Sequence, residues 1–150
     1  MAGASIRVDY KISDQAVTDV LDRLVLAGGD METAFSDFGA YLELSHLERF
    51  DRQEAPDGTP WEPLNPKYQA RKKKNADKIL VLEGFMRDLL AYNASTSGLE
   101  FGTNQIQGAT HQFGDPARGI PERPFIGLSP ADETELLDTL QEHLTDALRP

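Results

Sequence analysis

The side chains able to do proton or metal chemistry are poorly spaced for it. His46, His111 and His143 lie far apart, and no HxH or HxxxH pair occurs. Zinc sites are built from such pairs or from cysteine, and the chain has no cysteine. His143 falls in an acid-rich stretch and reads as exposed, while His46 flanks an apolar stripe. His111 heads the run HQFGD at 111–115 and alone has a setting that suits a site, as a hydrolase base beside a carboxylate. There is no GxSxG and no P-loop, and the glycines at 28–29 and 102 follow no phosphate-loop spacing. With 25 acidic residues, carboxylate pairs are unavoidable and carry no information by themselves. The residues therefore assign no catalytic group, cofactor or metal.

The other distinctive side chains suit binding. Trp61, the single Trp, stands between Pro60 and Pro63. It either anchors a partner, as interface Trp often does, or folds back to seal its own loop with its N–H paired. Lys67, Arg71, Lys72, Lys73, Lys74 and Lys78 form a basic run opposed only by Asp77. Asp132, Glu133, Glu135, Asp138, Glu142 and Asp146 form an acidic one opposed only by Arg149. Each reads as a solvated helix face or as half of a head-to-tail contact between copies. Specific nucleic-acid binding is not expected: the net charge is −10, and no aromatics interleave the basic run.

These residues need elements to hold them. A chain of 150 residues suits one domain, spanning 1–150, and can bury roughly 70% of its unfolded surface. The lack of cysteine points to an intracellular origin. No apolar run is long enough for a membrane helix, and the first residues do not read as a secretory signal. Alternation of Ile6, Val8, Tyr10 and Ile12 predicts a half-buried strand, with Ser13 or Asp14 capping the helix after it. Val17, Val20, Leu21, Leu24 and Val25 mark that helix, ended by Gly28-Gly29. Asp30 caps a second helix carrying Phe35, Phe38, Leu42 and Leu47, with Gly39 inside it for close packing against another helix.

Residues 54–66 form a Pro/Gly loop, and Asn65-Pro66 starts a short basic helix reaching about Lys74. Lys78–Leu82 fits a strand or a helix start, and Phe85–Leu90 a short helix beyond Gly84. Residues 92–103 predict a hairpin turning at Ser97-Gly98. Gln105–Phe113 fits a short helix or a loop, and 115–124 is a loop. Phe125–Leu128 is expected as a short strand, with Phe125 either in the core or at the tip of a docking arm. The leucines from Leu136 to Leu148 predict a closing amphipathic helix after Pro130. The fold class is α+β: helices at both ends packed on a small, mainly antiparallel sheet, with a long loop carrying Trp61.

PDGTPWEPLNPKY, KILVLEGFMRDLL, ATHQFGD and IPERPFIGLS, in that order and ahead of a closing helix, resemble the phage virion morphogenesis or tail-completion family of Mu-like and P2-like contractile-tailed phages. A second Gly expected near Phe85–Arg87 is absent. The resemblance implies a non-enzymatic structural protein, found in the host cytoplasm during assembly and in the tail or neck of the virion. It would complete the head-proximal end of the tail or the head–tail connection. Its partners would be further copies of itself, with rings, including hexameric ones, the usual architecture, and other tail or neck proteins. DNA would pass through an acidic lumen that repels it, and no membrane is involved. Trp61, Lys72, Lys73, Lys74, His111, Phe113, Arg123 and Phe125 are the assembly or loop-anchoring candidates. Arg123 and its Pro-rich loop are expected at a subunit boundary. The alternatives are an interaction module with no viral role and the His111 hydrolase.

Overall fold

The computed structural model describes residues 15–150. The strand expected at 5–12 and the cap at Ser13 or Asp14 lie outside the described residues. The first helix, α1 (Gln15–Leu26), buries Val17, Val20 and Leu24, while Val25 faces solvent. Gly28, with φ +71°, lets the chain reverse beyond it. Asp30 caps α2 (Met31–Arg52): its side chain accepts from the Thr33 N–H at 3.0 Å. The closing helix α6 (Pro130–Ala147) starts in a reciprocal capping box between Ser129 and Asp132.

The 22-residue α2 spans two apolar clusters. Phe38 and Leu42 pack with Val17, Val20, Leu24, Leu136 and Leu140, binding α1, α2 and α6 together. Further along, Phe50 packs with Trp61, Val81, Met86, Leu90, Phe125 and Ile126. Phe101 packs against both clusters. It belongs to a two-stranded antiparallel hairpin, β1 (Ala91–Ser95) and β2 (Gly98–Gly102), laid along α2. The architecture is α+β, as the sequence indicates.

Gly39 makes its close contact with this hairpin and not with another helix. A Cβ there would fall 2.4 Å from the Tyr92 ring, so the helix can lie on β1 only with no side chain at that point.

Other elements differ from expectation in instructive ways. The turn is centred on Thr96-Ser97, one residue early, and Gly98 already pairs with Ser95. The short helix α3 (Pro66–Arg71) is capped by Asn65 but stops before Lys72. Segment 78–82 is neither strand nor helix. Asn75 and Leu80 both take left-handed backbone, and side chains supply the missing hydrogen bonds. Asn75 Nδ2 donates to the Leu82 carbonyl, and the Ile79 N–H donates to Gln53 Oε1. Beyond it, α4 (Phe85–Asp88) is a single turn, and α5 (Gln107–Phe113) takes the helical option at 105–113. Loop 115–124 holds a 3-10 turn at Pro116–Arg118. Phe125–Leu128 is not a strand: among the described residues no strand pairs with it.

Gly39→Ala should raise intrinsic helix propensity and still lower stability, because the added methyl meets the Tyr92 ring. Overpacking of this kind costs about 1–3 kcal/mol, measurable by chemical denaturation. A stabilised variant would contradict the contact.

Candidate functional site

The chain concentrates its buried polar side chains on one irregular segment, residues 123–129. Backbone polar groups buried outside a helix or sheet need other partners. Here five side chains provide them. Gln112, from α5, accepts from the N–H groups of Phe125 and Ile126 and donates to the Ile126 carbonyl, all at 3.0 Å. Arg49 Nη1, from α2, donates to the carbonyls of Phe125 at 2.9 Å and Gly127 at 3.1 Å. Trp61 Nε1 donates to the Pro124 carbonyl at 2.7 Å. His46 Nε2 accepts from the Gly127 N–H, and Asp132 Oδ2 from the Ser129 N–H.

These side chains are also coupled to one another. Arg49 Nη2 meets Asp132 Oδ2 at 3.0 Å, with side chains only 2% and 1% exposed. Asp132 Oδ1 accepts from the hydroxyls of Tyr41 and Ser45 on α2. Burial pushes the Asp132 carboxyl up. The Ser129 N–H, the two hydroxyls and the Arg49 charge outweigh it and hold the group below its usual range. Burial, then the bond to Asp132, pushes the Tyr41 phenol up to about 12. His46 is neutral for a geometric reason. Its Nδ1 faces the Leu42 carbonyl, which can only accept, so Nδ1 carries the proton and Nε2 keeps the lone pair that Gly127 uses. Burial, reinforced by the Arg49 charge, pulls its pKa down to about 3.

Trp61 takes the loop-sealing option: it is 4% exposed and stacks edge-on against Phe50. Phe125 is fully buried and not the tip of an arm. Arg123 is 6% exposed and holds the Trp loop from within the chain, donating to the carbonyls of Glu62 at 2.7 Å and Pro63 at 3.0 Å. Its guanidinium is thus engaged inside the fold. Lys72 donates to the carbonyls of Asn75 and Lys78, and Lys74 pairs with Glu83 at 2.8 Å. Lys73 and Phe113 are exposed. Asp132 leaves the acidic face altogether, because it is the buried partner of Arg49.

His111 lines a groove of about 980 Å³ between the Trp loop with α3, segment 80–86, and loop 118–121. Its carbonyl accepts from the Arg123 N–H at 2.7 Å, which ties α5 to the Pro-rich loop. Its Nδ1 is buried without a hydrogen-bond partner among the described residues. Burial, then the charges of Arg123 and Arg118, lower its pKa. Asp115, four residues on, is bound to Arg118 Nε at 2.6 Å. Among the described residues, no group of three or more potential metal ligands gathers. Arg49 and Gln112 were not singled out from sequence. Arg49 did carry a signal, since it continues the apolar stripe of Phe38 and Leu42 at helical spacing.

The family model described as the phage virion morphogenesis family matches residues 12–145. The chain is 28% identical over 153 residues to "Putative capsid assembly protein G" of Escherichia phage Mu, covering 91% of this chain and 97% of that protein. It is 28% identical over 135 residues to "Mu-like prophage FluMu G protein 2" of Haemophilus influenzae, covering 86% and 89%. No solved structure matches it.

Arg49→Met should cost about 3–5 kcal/mol in denaturant unfolding, because it leaves Asp132 charged and buried with two carbonyls unpaired. Acid should also weaken the fold through His46. With its pKa depressed, the unfolded chain binds the proton first, so stability falls as pH drops from about 6.5 towards 3. Asp132, also depressed, adds a further loss below about pH 4. The Tm of the wild type should decline across this window, and that of a folded His46→Leu variant should decline less. Parallel declines would rule out His46 as the source.

Proposed function

The chain belongs to the phage virion morphogenesis family, and from that membership we propose that it is a non-enzymatic structural protein of late tail assembly. It completes the head-proximal end of the tail, or the connection of tail to head, as a self-associating ring. The family match over residues 12–145 carries this reading. The Mu relative's name refers to capsid assembly. A protein seated where tail meets head would touch both, so that name and a tail-completing role are compatible. Its partners are further copies of the chain and neighbouring tail or neck proteins. The net charge of −10 suits a lumen through which DNA slides without sticking.

The use of its polar groups supports a structural role. Arg49, Asp132, His46 and Gln112 all hold the chain's own backbone or one another. His111 is poorly placed as a base. The charges that act on it are the guanidiniums of Arg123 and Arg118, and a general-base histidine works best with a carboxylate to orient and stabilise its protonated form. Among the described residues no helix is long and apolar enough to cross a membrane.

Deletion of the chain from a Mu-like phage that encodes it should yield DNA-filled heads and separate tails in electron micrographs of the lysate. His111→Ala supplied in trans should restore joined particles and plaques. Intact virions without the chain, or a block before heads fill, would contradict the proposed stage. Failure of a His111→Ala variant whose fold and assembly are unchanged would reopen the enzymatic reading.

A further inference from the structure

The groove beside His111 has the features of a docking surface. Its walls include Pro63, Leu64, Val81, Met86 and Ile120. Tyr68 and Phe85 line it while remaining exposed large rings. Lys67 and Arg71 also line it, one helical turn apart on α3, so their charges stand on one face of that helix. Neither has a carboxylate partner among the described residues. Lys72 and Lys74, by contrast, are engaged within the chain. The groove thus mixes apolar and polar walls, with Glu62 and Glu83 among its lining, Glu83 being paired with Lys74, and a two-charge cationic edge at i, i+4 spacing.

The complementary surface lies on the same molecule. Asp138, Glu142 and Asp146 follow one another at i, i+4, i+8 along α6, and all three are exposed. Asp138 and Glu142 have no cationic partner among the described residues, and Asp146 meets only Arg149 at 3.3 Å. Leu148, just past the helix, is 66% exposed and offers an apolar contact. The two stripes share the same spacing, yet no ion pair joins them within one chain.

We propose that the groove receives the acidic stripe of α6 from a second copy, with Lys67 and Arg71 facing Asp138 and Glu142. The inference rests on the reading of the chain as a self-associating morphogenesis protein, and it names the contact. Two different surfaces meet, so the association is head to tail, and it closes into a ring if the rotation per copy allows. Nucleic acid is a poor occupant, because the chain carries −10 overall and the edge offers only two unpaired cations. Exposed ion pairs are individually weak and screened by salt, so the contact should loosen as ionic strength rises.

The test uses two full-length double variants, Lys67→Glu/Arg71→Glu and Asp138→Lys/Glu142→Lys. All four positions are solvent-exposed, and unchanged circular dichroism and Tm would establish that both fold. Sedimentation of each variant alone should show association weakened about tenfold or more relative to wild type. An equimolar mixture should associate again, because each variant's groove then faces an α6 stripe of opposite charge. Wild-type association that survives both reversals would overturn this contact and leave the ring standing. Loss in each variant with no recovery in the mixture would also overturn the pairing. A wild-type chain that stays monomeric at every concentration would overturn both the contact and the self-associating ring.

Discussion

The buried ion pair between Arg49 and Asp132 is the constraint on which the rest of the fold depends. A charge removed from water is costly unless it is paired and its remaining bonding capacity is used. Here both conditions are met, and the way they are met dictates the architecture. Arg49 has donors left after Asp132, and they hold the carbonyls of Phe125 and Gly127. Asp132 has lone pairs left after Arg49, and they take Tyr41, Ser45 and the Ser129 N–H. One pair thus ties the last turn of α2 to the start of α6 and to the segment before it.

That segment is the unusual part. Residues 123–129 cross the second apolar cluster, where a strand would normally need a neighbouring strand. The hairpin lies elsewhere along α2, so Gln112, Arg49, Trp61, His46 and Asp132 stand in for one. Each brings its own element: Gln112 carries α5, Trp61 the Pro/Gly loop 54–66, Arg49 and His46 the helix α2, Asp132 the helix α6. The Trp loop is then fixed twice, by Trp61 inside and by Arg123 reaching back to Glu62 and Pro63. Its fixed course builds one wall of the groove beside His111. A rigid interior thus positions a surface for assembly, and the polar groups in between serve geometry.

Much of the helical framework was legible because its causes are local. Asp30, Asn65 and Ser129 cap helices they immediately precede, and the apolar spacing of Val17 to Leu24 and Leu136 to Leu140 marks buried faces. The irregular parts were not legible, because their causes are distant. Phe125–Leu128 has the composition of a strand, but among the described residues no strand pairs with it, and Gln112 and Arg49 take its backbone groups instead. Lys78–Leu82 is apolar enough for either element, yet its course is set by Asn75 and Gln53. Arg123 reads from sequence only as part of a polar, Pro-rich loop, yet it is buried, because carbonyls of the distant Trp loop satisfy it. The acidic run hid a core residue, since Asp132 differs from its neighbours only in facing Arg49.

Amide hydrogen exchange at Phe125 and Ile126 tests this account most directly. Both N–H groups donate to a single side-chain oxygen, Gln112 Oε1, in a segment without regular secondary structure. If buried side chains truly replace a strand, these amides exchange only on global unfolding, as slowly as the central amides of α2 near Leu42. Exchange at the rate of the exposed hairpin-turn amides of Thr96 and Ser97 would show that the segment opens independently, and would contradict the claim that this polar cluster organises the fold.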